Sequence, residues 1–187
     1  MAERILDLAA ITVLIGIGAL FISAASIPNP FVYVAASVIL MGSGVAYWLS
    51  TRNCHVLLKD INSDALAKGM GTIESLYHTS VKRHVLSQTE ANAGFDRITA
   101  STADLSLKDR EIIIEAATED LELKKKIFSN LSEQSSPNTI LATNTSALPV
   151  HALAGHIRHP GRLVGIHFFN PVPRMKLVEL VPASTEF

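Results

Sequence analysis

Apolar and polar positions are distributed very unevenly along the chain. From Ile5 to Ser26 the sole charge is Asp7, and after Pro28-Asn29-Pro30 a second uncharged stretch runs from Phe31 to Ser50. Both stretches reach the length at which a helix crosses a bilayer, about 20 residues. Hydropathy alone therefore draws a membrane hairpin, with Arg4 before it and Arg52 and Lys59 after it keeping both ends cytoplasmic. A cleaved signal peptide fits less well, because Asp7 interrupts the apolar region.

From Asn53 onward the pattern changes to short apolar runs alternating with amphipathic ones. His55 to Asp60 reads as a strand ending in an acid, and Asn62-Ser63-Asp64 supplies capping chemistry for a helix carrying Leu66, Met70, Ile73 and Leu76. That helical pattern continues loosely to about Leu86. Ile98 to Thr102 is a short strand, Glu111 to Ala117 a buried one, and Leu121 to Leu131 an amphipathic helix stopped near Ser135-Ser136-Pro137. The segment TILATN is a further strand, followed by a helix after Ser146 with Pro149 in its first turn. RLVGIHFF and MKLVELV complete the strands.

Such alternation predicts an α/β fold, a Rossmann-like doubly wound and mostly parallel sheet, whose ligands gather at the carboxyl ends of the strands. The polar candidates fall there: Asp60, Glu119, Asn144-Thr145-Ser146 and His167. The opening of the fold is placed at SVILMGSGVAYWLST, where Met41-Gly42-Ser43-Gly44 starts a helix that continues through Val45 to Leu49. A strand and helix here compete with the membrane hairpin for the same residues. Asp60 stands 18 residues beyond Gly42, the position at which an acid accepts hydrogen bonds from an adenosine ribose, about 20 residues after the glycine turn. The alternative turn at Gly16 and Gly18 is rejected, because Phe21 occupies its third position and Asp60 is 44 residues from Gly16. The division expected is an apolar segment over 1–30 and the α/β domain over 31–187.

Composition narrows the partners. Net charge is -1 and the longest basic run is Lys124-Lys125-Lys126, which argues against nucleic acid. The single cysteine, Cys54, has no internal partner; a structural thiol in a reducing compartment is expected. His55, His78, His84, His151, His156 and His159 show no spacing suited to a metal.

The segments MGSGVAYWLS, VLLKDIN, IIIEAATEDLELKKKIF, ILATNTSAL and RLVGIHFFNPVPRMKLVELV, spanning Met41 to Val181, resemble the NAD-binding domain of the 3-hydroxyacyl-CoA dehydrogenases, both the short enzymes and the multifunctional fatty-acid oxidation proteins. HFFNPVPRMKLVE carries most of the resemblance. It implies NAD-dependent oxidation of 3-hydroxyacyl-CoA to 3-ketoacyl-CoA, with NAD as cofactor and an acyl-CoA as substrate. By matching position it implies that His167 is the general base, that Glu179 orients its imidazole, and that Ser146 hydrogen-bonds the substrate oxygen. Histidine suits proton transfer because it titrates near neutrality in water. Asn144 is implied near the nicotinamide, Glu119 and Lys124 near its ribose, Asp60 on the adenosine ribose, and Gly42 and Gly44 at the phosphate turn.

The chain departs from that family in two places. Between the strand and Met41, where G-x-G-x belongs, only Leu40 is assigned to the turn, about three residues too few for the fingerprint. Weak NAD binding is expected, since glycine is what lets backbone amides reach the pyrophosphate. The chain also stops at Phe187, soon after the last matched strand, so the helical substrate and dimerisation domain of the family is expected from a partner, and the isolated chain is expected to turn over little or no substrate. The competing expectation is a membrane-anchored, catalytically inactive relic with an interaction role, held through residues 5–26; a rearranged junction across Pro28 to Gly42 is the third.

Overall fold

The computed structural model describes residues 11–15, 18–22, 31–36, 39–117, 119–175 and 177–183. Two short strands come first, β1 (Ile11–Ile15) and β2 (Gly18–Ile22), paired antiparallel with Ile11 opposite Ile22. The strands β3 (Phe31–Ala36), β4 (His55–Lys59), β5 (Ile98–Ser101), β6 (Ile112–Ala116), β7 (Ile140–Asn144), β8 (Leu163–Phe168) and β9 (Val178–Pro182) then build one sheet in the order β5-β4-β3-β6-β7-β8-β9. All neighbours pair parallel except β8 and β9, which are antiparallel. The chain enters at β3, winds one way to β5, then returns to β6 on the other side of β3. That reversal puts a topological switch point at the carboxyl ends of β3 and β6, the place where doubly wound folds take ligands.

Helices α1 (Ile39–Ser50), α2 (Ser63–Lys82) and α3 (Gln88–Phe95) cover one face; α4 (Leu121–Gln134) and the single turn α5 (His151–Ala154) cover the other. The central strands show why the face assignment is unambiguous. In β6, Ile112 and Ile114 belong to the core under α1 to α3, whereas Ile113 packs with Phe128 and Leu131 of α4. A strand covered on both faces needs apolar residues at every position, and IIIEA is buried throughout.

The predicted membrane hairpin is corrected. The described part of its first half is strand, rich in β-branched residues that favour an extended backbone, and its second half is β3 followed by α1. Among the described residues no helix is long and apolar enough to cross a membrane. Helix α1 reads as lipid-compatible because it is enclosed: every residue from Gly42 to Ser50 is buried, and a helix surrounded by protein has no need of a polar stripe.

The short turn is also corrected. Strand β3 ends at Ala36 and α1 starts at Ile39; the Ser37-Val38 junction lies outside the described residues. Counting back from Gly42 through G-x-G-x-x-G places the first two glycines at positions 37 and 39, directly after the strand. The junction therefore has its full length, and Ser37 and Ile39 stand where the fingerprint has glycine.

Two helix boundaries follow from local chemistry. Asn62 caps α2, its side chain accepting from the N–H groups of Asp64 and Ala65. Helix α2 ends at Lys82, short of the expected Leu86, and Ser87 with Glu90 forms a capping box that starts α3, a helix beyond the expected one. Cys54 is buried, and burial pushes its thiol up to about 11, in keeping with a structural role.

Candidate active site

The sheet brings most of the sequence candidates to one edge. Asp60 follows β4, Ala117 and Glu119 follow β6, Asn144 ends β7, Ser146 follows it, and His167 lies near the end of β8. Because β9 runs antiparallel, its first residues lie at the same edge.

His167 and Glu179 are directly opposed across β8 and β9, so their side chains emerge on the same face. Glu179 Oε2 lies 3.0 Å from His167 Nδ1. A carboxylate only accepts, so the neutral imidazole carries its proton on Nδ1 and keeps Nε2 as an acceptor. The Phe169 ring leans on the imidazole, centroids 4.5 Å apart. Both members of the pair are half-buried. A base held in one tautomer by an acid, with its other nitrogen available, is an arrangement suited to removing a proton.

Glu119 organises the loop after β7. Its Oε1 accepts from the Thr145 hydroxyl and from the N–H groups of Ser146 and Ala147, the latter two at 3.1 Å. Desolvation raises its affinity for a proton, but the Thr145, Ala147 and Ser146 hydrogen bonds and the nearby Lys124 charge outweigh it and hold the carboxyl below its ordinary value. Asn144 ties the loop to β8: its Oδ1 accepts from the Phe168 N–H at 3.2 Å. Ser146 itself is exposed.

Lys124 is placed differently from its expected position beside a cofactor ribose. Its side chain is 0% exposed and its ammonium binds the Glu115 carboxylate. The ammonium thus faces the interior behind the edge and not its surface. Gly44 is also turned toward protein: a Cβ there would lie 3.2 Å from Val172 Cβ, and its smallness lets α1 approach the segment after β8. Gly42 is buried at the start of α1. Asp60 is half-buried, with Oδ1 accepting from Asn62 N–H at 3.0 Å.

Glu115 and Thr143 are absent from the candidates that the sequence offers. Glu115 carried a usable signal, a lone acid inside the otherwise apolar IIIEAA nine residues before Lys124. Thr143 carried none, since threonine on a strand is ordinary.

The fit to a dinucleotide is uneven. An acid at the end of β4 and the reversal of strand order next to β3 suit the adenosine side, while a β-branched residue at position 39 does not suit close approach of phosphates.

Comparison with known proteins agrees with this geometry. The family described as 3-hydroxyacyl-CoA dehydrogenase, NAD binding domain, matches residues 39–186. The chain is 39% identical over 141 residues to 3-hydroxyadipyl-CoA dehydrogenase of Escherichia coli, covering 75% of this chain and 30% of that protein. It is 37% identical over 141 residues to 3-hydroxybutyryl-CoA dehydrogenase of Bradyrhizobium diazoefficiens, covering 75% of this chain and 48% of the relative. Among solved structures, (S)-3-hydroxybutyryl-CoA dehydrogenase from Ralstonia eutropha superposes with a TM-score of 0.78 at 35% identity, over 82% of this chain and 54% of that one. The chain thus spans less than half of these curated relatives' length. With the fold, the edge residues and the match over 39–186 in agreement, the chain belongs to the 3-hydroxyacyl-CoA dehydrogenase family through its NAD-binding domain.

Proposed function

We propose that this chain is the cofactor-binding and proton-transfer portion of an NAD-dependent dehydrogenase that oxidises 3-hydroxyacyl-CoA to 3-ketoacyl-CoA in fatty-acid β-oxidation. The observation that carries the proposal is the His167–Glu179 pair, 3.0 Å apart and in register across β8 and β9. NAD, when bound, supplies the hydride acceptor. His167 Nε2 takes the proton of the 3-hydroxyl, and Glu179 stabilises the imidazolium that results. Ser146 donates to the substrate oxygen. Asn144 and Glu119 shape the nicotinamide end, Asp60 binds the adenosine ribose, and Gly42 lies at the phosphate end of α1. Residues 31–187 form the domain, and a helical substrate domain completes the acyl-CoA site.

Calorimetric titration with NADH, beside an Asp60→Ala control, tests the cofactor reading. Turnover of 3-hydroxybutyryl-CoA, with the helical domain of a relative supplied, tests the chemistry beside His167→Asn. Binding lost with Asp60, and NADH formation lost with His167, are expected. A folded chain that neither binds NADH nor supports turnover overturns the reading.

A further inference from the structure

An ion pair with no exposed surface lies directly inside the site edge. Glu115 of β6 and Lys124 of α4 both have side chains 0% exposed. The Lys124 ammonium is 2.8 Å from Glu115 Oε1 and 2.7 Å from Oε2. It also reaches two carbonyls, Ala117 O at 3.3 Å and Asn144 O at 3.5 Å. Glu115 accepts in addition from the Ala117 N–H and, at 2.8 Å, from the Thr143 hydroxyl.

The two backbone positions held in this way are the departure points of the site. Ala117 leads out of β6 toward Glu119, and Asn144 leads out of β7 toward Thr145 and Ser146. Filling this space for stability alone would not call for charges, since well-packed apolar residues replace a buried pair at no loss and often at a gain. What the pair supplies is direction: four of its contacts, counting Thr143, end on groups of fixed position at two neighbouring strand ends.

We propose that Glu115 is a positioning residue that, through Lys124 and Thr143, fixes the separation of the β6 and β7 ends and with it Ala117, Glu119 and the loop at 144–147. Its effect on cofactor binding rests on the dehydrogenase reading above; its effect on the two strand ends does not.

The test compares three variants of the full chain by thermal unfolding, backbone 15N relaxation and NADH titration. Glu115→Gln leaves an uncompensated buried ammonium and lowers Tm by about 10 °C. The apolar double variant Glu115→Leu/Lys124→Met recovers that loss to within about 3 °C. In it, order parameters at 117, 119 and 144–147 nevertheless fall from about 0.85 to below about 0.6, and NADH binds about tenfold more weakly. Recovery of Tm with the strand ends still rigid overturns the proposal, because the pair would then be structural only. Thr143→Val, which removes a single hydroxyl, covers the case in which the double variant does not fold: it raises mobility at 144–146, and an unchanged edge in that variant also overturns the proposal. Loosened strand ends in a chain that binds no NADH even when native would leave the positioning role in place and remove the cofactor reading.

Discussion

The two halves of the sheet, divided between β3 and β6, have been treated differently in this chain. On the β6 to β9 side the polar groups are interlocked: Glu179 holds His167, Asn144 reaches across to Phe168, Glu119 gathers the loop after β7, and Glu115 with Lys124 braces them from within. On the β3 to β5 side there are Asp60, a surface pair between Lys59 and Asp104 at the ends of β4 and β5, and a strand-to-helix junction in which Ser37 and Ile39 stand where the fingerprint has glycine. The contrast shows which kind of site keeps its own record. A hydrogen-bond network needs every member, because a buried polar group left unpaired is costly. A phosphate turn is backbone, and its loss costs binding while leaving the fold intact.

The largest effect that can break this comparison is expected at His167, the proposed base. His167→Asn should lower turnover by between about a hundredfold and ten-thousandfold while leaving NADH affinity near its original value; a matching loss of NADH binding would mean that the residue holds cofactor instead. Next is Gly165→Ala, on the same side. A Cβ there would stand 2.7 Å from Val150 Cγ2 and 3.3 Å from the Val181 carbonyl oxygen, forcing β8, β9 and α5 apart at a cost of about 1–3 kcal/mol, read as a fall in denaturation midpoint.

A smaller effect, of opposite sign, is expected on the other half. Restoring glycine with Ser37→Gly and Ile39→Gly should tighten NADH binding about tenfold, the equivalent of one or two recovered backbone hydrogen bonds. Equal affinity before and after would show that the junction does not limit binding. The smallest effect belongs to Glu119, whose folded-state carboxyl lies below the ordinary 4.5. A depressed carboxylate contributes stability that is complete above the unfolded value and is lost as pH falls through the folded one. Glu119→Gln should therefore flatten stability against pH below about 4.5 and lower stability slightly near neutrality, where the carboxylate's contribution is complete; an unaltered acid slope would show that the hydrogen bonds to Thr145, Ser146 and Ala147 contribute nothing measurable.

The sequence disclosed most where side chains had to satisfy two demands at once. Strands β4, β6, β7 and β8 were legible because runs such as HVLLK and IIIEA end in turn or capping residues, and Asn62 marked the start of α2 through its side chain. The boundary between β3 and α1 was not legible, since a strand covered on both faces and a helix enclosed on all sides have the same apolar composition, and periodicity cannot separate them. The reversed direction of β9 was hidden for a related reason: direction is a property of connection and pairing, not of the residues in MKLVELV. His167 and Glu179 were found through HFFNPVP, but their opposition across two strands became visible only with the register. Glu115 was passed over because it lies inside an apolar run, where an acid is easily read as noise when it is in fact paired.

The enclosure of α1 has a consequence for how the molecule opens. Apart from Met41, which is half-buried, every residue from Met41 to Ser50 is buried, so the helix has no face on which it could rest in water after leaving the sheet. Partial opening that released it would expose apolar surface on all sides with nothing to offset the loss, so detachment of α1 should coincide with collapse of the whole domain. Its amides, and not those of the better capped but more exposed α2, should be the slowest to exchange with deuterium, and their rate should report the global unfolding free energy.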